Sequence, residues 1–359
     1  MITRELCLEL ISAGIRASSP DNSQPWKFSI VDDSIELFLD SRYLGMFFDP
    51  NQYASLLGCG GVIENIRLKA LTKGFDLYLF PESDVAAPDY KVVSIKLVPL
   101  SGENGPDNLA EAIPQRCTNR GFFYRDWDIP SFLLDKFNTA LNDFDGAEVQ
   151  WFEGERRKEI ITILSNTDRI RYTNKSLHDD FYAKLRYGNE IEKQCDGLAS
   201  DTLGLESLFT ATLPLLKSWS FAKFLNLFGM QYFMAYRGAT VPLKNANKIG
   251  ALVMPRETDV ITQGRALQRL WLTINAQKGV HFQPFGALPL LIYRMVEYKG
   301  DGFSEHEREF LEYYMNQLEQ LMNIEFGHSH VVIFFRMGYA EKPKAFSRRR
   351  ELASFLIDG

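Results

Sequence analysis

The stretch Ala17-Ser18-Ser19-Pro20-Asp21-Asn22-Ser23-Gln24-Pro25-Trp26 constrains this chain more than any other. It stops a helix pattern that carries Leu8, Ile11 and Ile15 on one face, with Cys7 and Leu10 beside them, and it opens a strand over residues 27–31. Ser, Pro, Asp and Asn each interrupt a helix for their own backbone reason. A loop of this kind offers backbone amides, an Asn amide and a Gln amide within a few residues, a set suited to reading a flat polar heterocycle. Composition alone favours the plainer reading, an ordinary helix-to-strand turn.

The chain has 359 residues, 45% hydrophobic and 24% charged, ordinary globular material with length for two domains or one large one. A net charge of −6 supplies no field that would favour nucleic acid. Cys7, Cys59, Cys117 and Cys195 form no CxxC pair, which argues against zinc and a disulfide framework and for a reducing cytosol. The N-terminus lacks the apolar core of a signal peptide. Residues 221–239 come closest to a membrane span, but Lys223, Asn226, Gln231 and Arg237 interrupt them, and an aromatic-rich amphipathic helix is expected instead. The expected compartment is the cytoplasm, with no membrane and no nucleic acid among the partners.

Alternation predicts a hairpin of strands 27–31 and 34–40 across Asp32-Asp33, and strands over 77–80, 91–100, 149–152, 249–254 and 331–336. Helices are expected over 58–74, 109–113, 130–143, 155–171, 262–278 and 305–322, with a loop over 282–287. Within the two helices 58–74 and 262–278, Gly60, Glu64, Ile66 and Leu68 correspond at constant offset to Gly264, Gln268, Leu270 and Leu272. The expected fold is therefore α+β in two copies of one unit, residues 1–105 and 106–359. The second copy carries a long, aromatic insertion at about 172–247.

Arg116-Cys117-Thr118-Asn119-Arg120 places two guanidiniums and a hydroxyl in five residues, donors that fit phosphate oxygens. A solvated loop is the plainer alternative for so short a motif. Lys342, Lys344, Arg348, Arg349 and Arg350 form a second basic cluster, alternatively a fraying tail. His328-Ser329-His330 lacks a third ligand nearby, Gly58-Cys59-Gly60-Gly61 is no dinucleotide fingerprint, and no GxSxG element occurs. No acid/base pair stands out, so no catalytic side chain is named.

Taken together, these motifs resemble the FMN-dependent nitroreductase family. Residues 17–26 resemble its APSxxNxQPW loop, with Ser18 where the family has Pro. Arg116, Thr118 and Arg120 resemble its RxSxR loop, the run from Gly338-Tyr339 to Arg349-Arg350-Glu351-Leu352 its basic tail, and residues 264–286 its glycine-bounded helix with the following loop. The resemblance implies a nitroreductase-like fold with FMN as cofactor. Arg116, Thr118, Arg120, Arg348 and Arg349 would hold the phosphate, and Ser18, Ser19, Asn22 and Gln24 the polar edge of the ring. Gln283, Pro284, Phe285 and Gly286 would lie near its redox-active part; Pro284 has no N–H, so Phe285 or Gly286 must donate. It also implies NAD(P)H as donor and a nitroaromatic, quinone or similar acceptor.

The family's homodimers combine such loops across an interface. Here the first copy has the 17–26 loop but no RxSxR before it. The second copy has Arg116–Arg120, while residues 143–154 do not repeat the first loop. The order resembles the fused, lid-bearing (Acg-like) branch: an intramolecular pseudo-dimer with one FMN site per chain, monomeric or further paired as a homodimer. A flavin-sequestering protein with a closed lid and little turnover is the alternative.

Overall fold

At Asp32 a left-handed φ of 52° turns β1 (Trp26–Val31) back onto β2 (Ser34–Leu39). Asp tolerates that backbone because its short polar side chain bonds locally. Along β2 every second residue, Ile35, Leu37 and Leu39, is buried, the period of a strand with one face on a core. The computed structural model describes residues 2–81, 90–100 and 108–357. With β3 (Phe75–Pro81) and β4 (Tyr90–Pro99), the hairpin forms an antiparallel sheet ordered β1-β2-β4-β3. Helices α1 (Arg4–Gly14) and α2 (Tyr53–Leu71) pack on it, with Cys7, Leu10, Ile63 and Ile66 in one core with Trp26 and Phe28. The buried face of α1 is Cys7, Leu10, Ile11 and Gly14, with Leu8 at its margin.

The second unit begins with α3 (Ser131–Thr139), β5 (Glu148–Phe152) and α4 (Gly154–Asp168). The insertion follows as short pieces: α5 (Ile170–Thr173), α6 (Lys175–Lys184), β6 (Leu185–Arg186), α7 (Asn189–Lys193), β7 (Leu198–Ala199), α8 (Ser207–Thr212), α9 (Trp219–Asn226), α10 (Met230–Ala235) and α11 (Val241–Lys244). The chain then resumes with β8 (Lys248–Pro255), α12 (Val260–Asn275), β9 (Val280–Phe285), α13 (Ala287–Tyr298), α14 (Glu305–Met322) and β10 (Ser329–Tyr339). The second sheet is antiparallel and ordered β5-β8-β10-β9. The loop expected over 282–287 is largely strand. Pro284 is accommodated because β9 is the edge strand of its sheet, with β10 its one strand neighbour there, so its missing N–H breaks no inner ladder. No helix was expected over α13, whose start follows the loop expected to 287; Pro289 falls in its first turn, where backbone N–H groups have no helical partner.

Helix α2 starts ahead of the glycine run expected to open it. Asp49 receives the amides of Ala54 (2.7 Å) and Ser55 (3.2 Å) at its first turn. The glycines instead serve the contact with α12. A Cβ on Gly60 would collide with the carbonyl oxygen of Ile261, and one on Gly264 with that of Leu57. Leu57 and Gly60 thus meet Ile261 and Gly264 reciprocally, the pattern of a two-fold contact. Further along, Leu68 and Leu272 share a small core, and buried Glu64 bridges to Arg265 (3.1 Å) and Arg269 (2.8 Å). A buried carboxylate requires partners of that kind.

The C-terminal end of the chain crosses to the first unit. Phe355 is fully buried in the first core, and the Ile357 amide donates to the Phe28 carbonyl at 2.9 Å. The division expected between residues 105 and 106 lies outside the described residues, and the chain beyond it is not confined to the second sheet. Among the described residues, no helix is long and apolar enough to cross a membrane.

Candidate functional site

Between the units lies a cavity of about 680 Å³. Its floor is made by the two central helices, through Gly58 and Gly61 of α2 and Gly264, Gln268 and Trp271 of α12. The absence of side chains at Gly58 and Gly61 brings the 17–26 loop onto α2: a Cβ on Gly61 would sit 3.4 Å from Ala17, and one on Gly58 3.2 Å from the Ser18 carbonyl.

That loop is wound tightly. Pro20 opens a single 3-10 turn, Pro20–Asn22, and Asp21, Asn22 and Gln24 all take left-handed φ values of 45°, 57° and 53°. Each such residue costs about 1–2 kcal/mol, so the surroundings must hold the shape. Ser19 Oγ accepts from the Gln24 amide at 3.0 Å. The Asn22 side-chain amide donates to the carbonyls of Gly197 (3.2 Å) and Arg348 (3.1 Å), and its oxygen accepts from Arg349. Gln24 Nε2 donates to the Cys195 carbonyl at 2.8 Å, and its oxygen receives the Arg350 amide at 3.0 Å. The loop therefore clamps the insertion and the tail.

Ser18, Ser19, Asn22, Arg116, Thr118, Arg120, Gln283, Pro284, Phe285, Gly286 and Arg349 all line the cavity. Two expected binders lie elsewhere. Gln24 is fully buried behind the wall, its amide spent on the backbone bonds just described. Arg348 points to the surface and donates to the Glu192 carbonyl at 3.4 Å. Asn22 reaches the cavity, but its side chain is likewise committed to protein partners. Gln283 gives its oxygen to Arg336 Nε (2.7 Å).

Arg116 packs over the Trp271 ring at 4.6 Å, and its Nε donates to the Arg16 carbonyl at 3.3 Å. Its Nη1 is buried with no partner. Arg349 donates to the carbonyls of Ile15 (3.0 Å) and Ala17 (2.9 Å). Burial pushes Arg116 down to about 10, and burial together with the Arg116 and Arg16 charges pushes Arg349 down to about 9. Guanidinium gives up its proton reluctantly, so an anion is the natural relief for this crowding. Gln268 Oε1, in the floor, is a buried acceptor without a partner.

The opposite wall comes from the second sheet and the insertion. Thr118 bridges to Phe282 beside β9, and the Asn119 amide donates to the Phe282 carbonyl at 3.0 Å, fixing the 116–120 loop. Arg120 Nη1 donates to the Thr202 carbonyl (3.1 Å) of the insertion. Arg336, on β10, donates to Gln283, Pro242 (2.8 Å) and Gly121 (2.7 Å); burial, then the Arg120 charge, pushes it to about 9. Arg171, raised by the Asp168 carboxylate at 3.0 Å, also lines the cavity, as does Arg237, paired with Glu206 at 2.6 Å. Arg16, Arg171, Arg237 and Arg336 were not among the expected site residues. Only Arg336 had a signal: a charge inside the apolar strand run Val331–Met337 needs buried partners.

No family model matches the chain. Over 187 residues it is 27% identical to a putative NAD(P)H nitroreductase acg of Mycobacterium tuberculosis (strain ATCC 25618 / H37Rv), a match covering 51% of this chain and 54% of that protein. The chain is nitroreductase-like. An uncharacterized protein of the same species (strain CDC 1551 / Oshkosh) is 25% identical over 344 residues, 94% of this chain and 46% of that one. The chain thus spans about half the length of the curated relatives it matches. Among solved structures, NfnB of Mycobacterium smegmatis in complex with NADPH is 14% identical with a TM-score of 0.37, covering 68% of this chain and 96% of its own. Oxidized iodotyrosine deiodinase bound to FMN and 3-iodo-L-tyrosine is 13% identical with a TM-score of 0.36, covering 68% and 95%. Likeness that loose places no ligand in this chain.

Proposed function

We propose that the cavity binds one FMN per chain and that the protein is an NAD(P)H-dependent oxidoreductase acting on a nitroaromatic, quinone or similar acceptor. The observation that carries this reading is the guanidinium pair Arg116 and Arg349, beside Arg16, with the buried Nη1 of Arg116 unpartnered and no carboxylate paired with any of them among the described residues. A phosphate dianion fits that donor set and offsets the desolvated charge. Thr118, two residues along the chain from Arg116, adds a hydroxyl to the cavity lining, and Gln268 Oε1 offers an unclaimed acceptor in the floor. The Phe285 or Gly286 amide, on the far side, would face the redox-active part of the ring. When bound, the flavin would supply the hydride and electron chemistry; the protein holds it, orients it and limits water.

The reciprocal contact of Leu57 and Gly60 with Ile261 and Gly264 supports an origin as two fused copies, residues 1–105 and 106–359, sharing one site. A sequestering role is favoured by a separate observation: the insertion is tied to the 17–26 loop through Asn22, Gln24 and the Gly197 amide, which donates to the Asn22 carbonyl at 3.2 Å. Purification followed by reconstitution with excess FMN tests the site count. The expected ratio is one flavin per chain; a ratio near two, or none, overturns the reading. Anaerobic mixing with NADH and NADPH then separates turnover, seen as bleaching of the flavin within a catalytic timescale, from storage.

A further inference from the structure

Leu227 and Phe228 are 80% and 77% exposed at the tip of a helical hairpin. The hairpin joins α9 to α10 through Gly229, whose φ of 86° permits the sharp reversal. Phe221 and Phe224 on α9, and Tyr232 and Phe233 on α10, are exposed as well. Phe221 and Phe224 are spaced i, i+3 on one face of α9, and Phe228, in the turn beyond it, packs edge-on against Phe224 at 5.3 Å between ring centroids. The other face is already used: Ala222 and Ala235 are buried, and Leu225 and Met234 pack on the insertion's own core. The hairpin is thus apolar on both sides, with one side packed and the other open. An exposed apolar cluster of that kind marks an interaction surface, although Tyr232 also lies under Arg169 and Phe233 edge-on against Phe209.

Charge says what covers it. Residues 207–256 contain no Asp or Glu, in a chain whose net charge is −6; of their cations, Arg237, Lys248 and Arg256 pair with Glu206, Glu153 and Glu297 from outside the segment, which leaves Lys217, Lys223 and Lys244. Lys217 and Lys223, flanking and within α9, are exposed. We propose that the α9–α10 hairpin docks on an anionic phospholipid bilayer, its Leu and aromatic side chains entering the headgroup boundary and its lysines facing the lipid phosphates. Exposed Phe, Leu and Tyr beside lysines, without acids, is the pattern of a surface-lying membrane element. Helices of 8 and 6 residues are far too short to span a bilayer, so the association is peripheral. A second copy of the chain fits less well. A two-fold contact through this face would bring the lysines of both copies into one interface, with no carboxylate in the segment to offset them. The inference is independent of what fills the cavity.

Flotation of the full chain with mixed phosphatidylcholine–phosphatidylglycerol vesicles, against pure phosphatidylcholine, tests it. Recovery with the mixed vesicles is expected to be at least about tenfold higher and to fall with added salt. Leu227→Ser combined with Phe228→Ser should lower binding by at least about tenfold, with far-UV circular dichroism checking the fold. Lys217→Glu combined with Lys223→Glu leaves the apolar face intact and should lower binding by about fivefold per lysine. Equal recovery with neutral vesicles, or indifference to both double variants, overturns the proposal. So does a concentration-dependent dimer in vesicle-free solution that Leu227→Ser/Phe228→Ser abolishes, since the face would then belong to a second copy.

Discussion

Arg116 and Arg349 stand at the end of the cavity nearest the 17–26 loop, bonded only to carbonyls, to Asn22 and to a Trp face. Arg171 and Arg237 line the same cavity from the insertion side, and each has a carboxylate: Asp168 at 3.0 Å and Glu206 at 2.6 Å. These four of the arginines that line the cavity therefore divide into two kinds, while Arg120 and Arg336, on the opposite wall, are held by carbonyls and Gln283. Those already neutralised hold the protein together, and the half-exposed Arg237–Glu206 pair contributes at most about 1 kcal/mol. Those without a carboxylate are desolvated and crowd each other, an arrangement that makes sense when an anion completes it. On the proposed FMN reading, that difference, together with the unpartnered Nη1 of Arg116, favours the Arg116 and Arg349 end for the phosphate.

The largest expected effect follows from removing the unneutralised pair. Arg116→Ala should weaken FMN binding by roughly tenfold to a hundredfold, and adding Arg349→Ala should bring the loss to at least about a hundredfold, since each charge-assisted bond is worth about 1.5–3 kcal/mol. Riboflavin, which lacks the phosphate, should lose less than about threefold with Arg116→Ala, whose Nη1 holds nothing else. Fluorescence titration with both ligands measures this. Equal loss of both would place the pair away from the phosphate. Arg349 alone is a less clean probe, because it also fastens Ile15 and Ala17.

A smaller effect is expected at the neutralised end. Arg171→Ala leaves Asp168 buried without its cation, and Tyr172 Oη, at 3.3 Å, is a poor substitute. The cost should be about 1–3 kcal/mol of stability, read by urea unfolding and by faster proteolysis within residues 172–247. FMN affinity should change by less than about threefold. If Arg171→Ala weakens FMN as much as Arg116→Ala, the division between the two ends collapses.

Part of this site was legible in the sequence because its charges recur at short spacing: Arg116 and Arg120 two residues either side of Thr118, and Arg349 within the tail cluster. Arg16 was not, since a lone arginine before a turn carries no pattern. Gln24 was misplaced for a conformational reason. Polarity within a loop does not say which way a side chain points, and left-handed backbone at residues 21, 22 and 24 turns Gln24 behind the wall. The α2–α12 pairing was visible as the repeat of Gly60 and Gly264, yet the same glycines concealed where α2 begins, because a glycine spared for close packing looks like a glycine that opens a turn. Apolar residues in 172–247 required that the insertion pack on something. Sequence could not say that α6, β7 and the following turn would face the cavity while α9 and α10 would leave an apolar face outward.

The smallest effect tests whether the clamp at the insertion controls access. Tyr43, in the cavity wall, donates its hydroxyl to Asp196 at 2.8 Å, beside the Cys195 and Gly197 carbonyls held by Gln24 and Asn22. Desolvation, reinforced by Asp196, raises the Tyr43 pKa, so the hydroxyl keeps its proton at neutral pH and the bond is intact there. Tyr43→Phe removes that single bond and leaves the ring, with Arg350 5.0 Å above it, in place. A bond of this kind contributes about 1 kcal/mol, equivalent to an opening of the insertion about fivefold more frequent. If opening limits the approach of NAD(P)H, anaerobic reduction of bound FMN should accelerate by about the same factor while FMN affinity stays nearly constant. An unchanged rate in a variant that still holds flavin would mean that the 17–26 clamp fixes structure without gating, and that the contrast between the two ends of the cavity concerns binding alone.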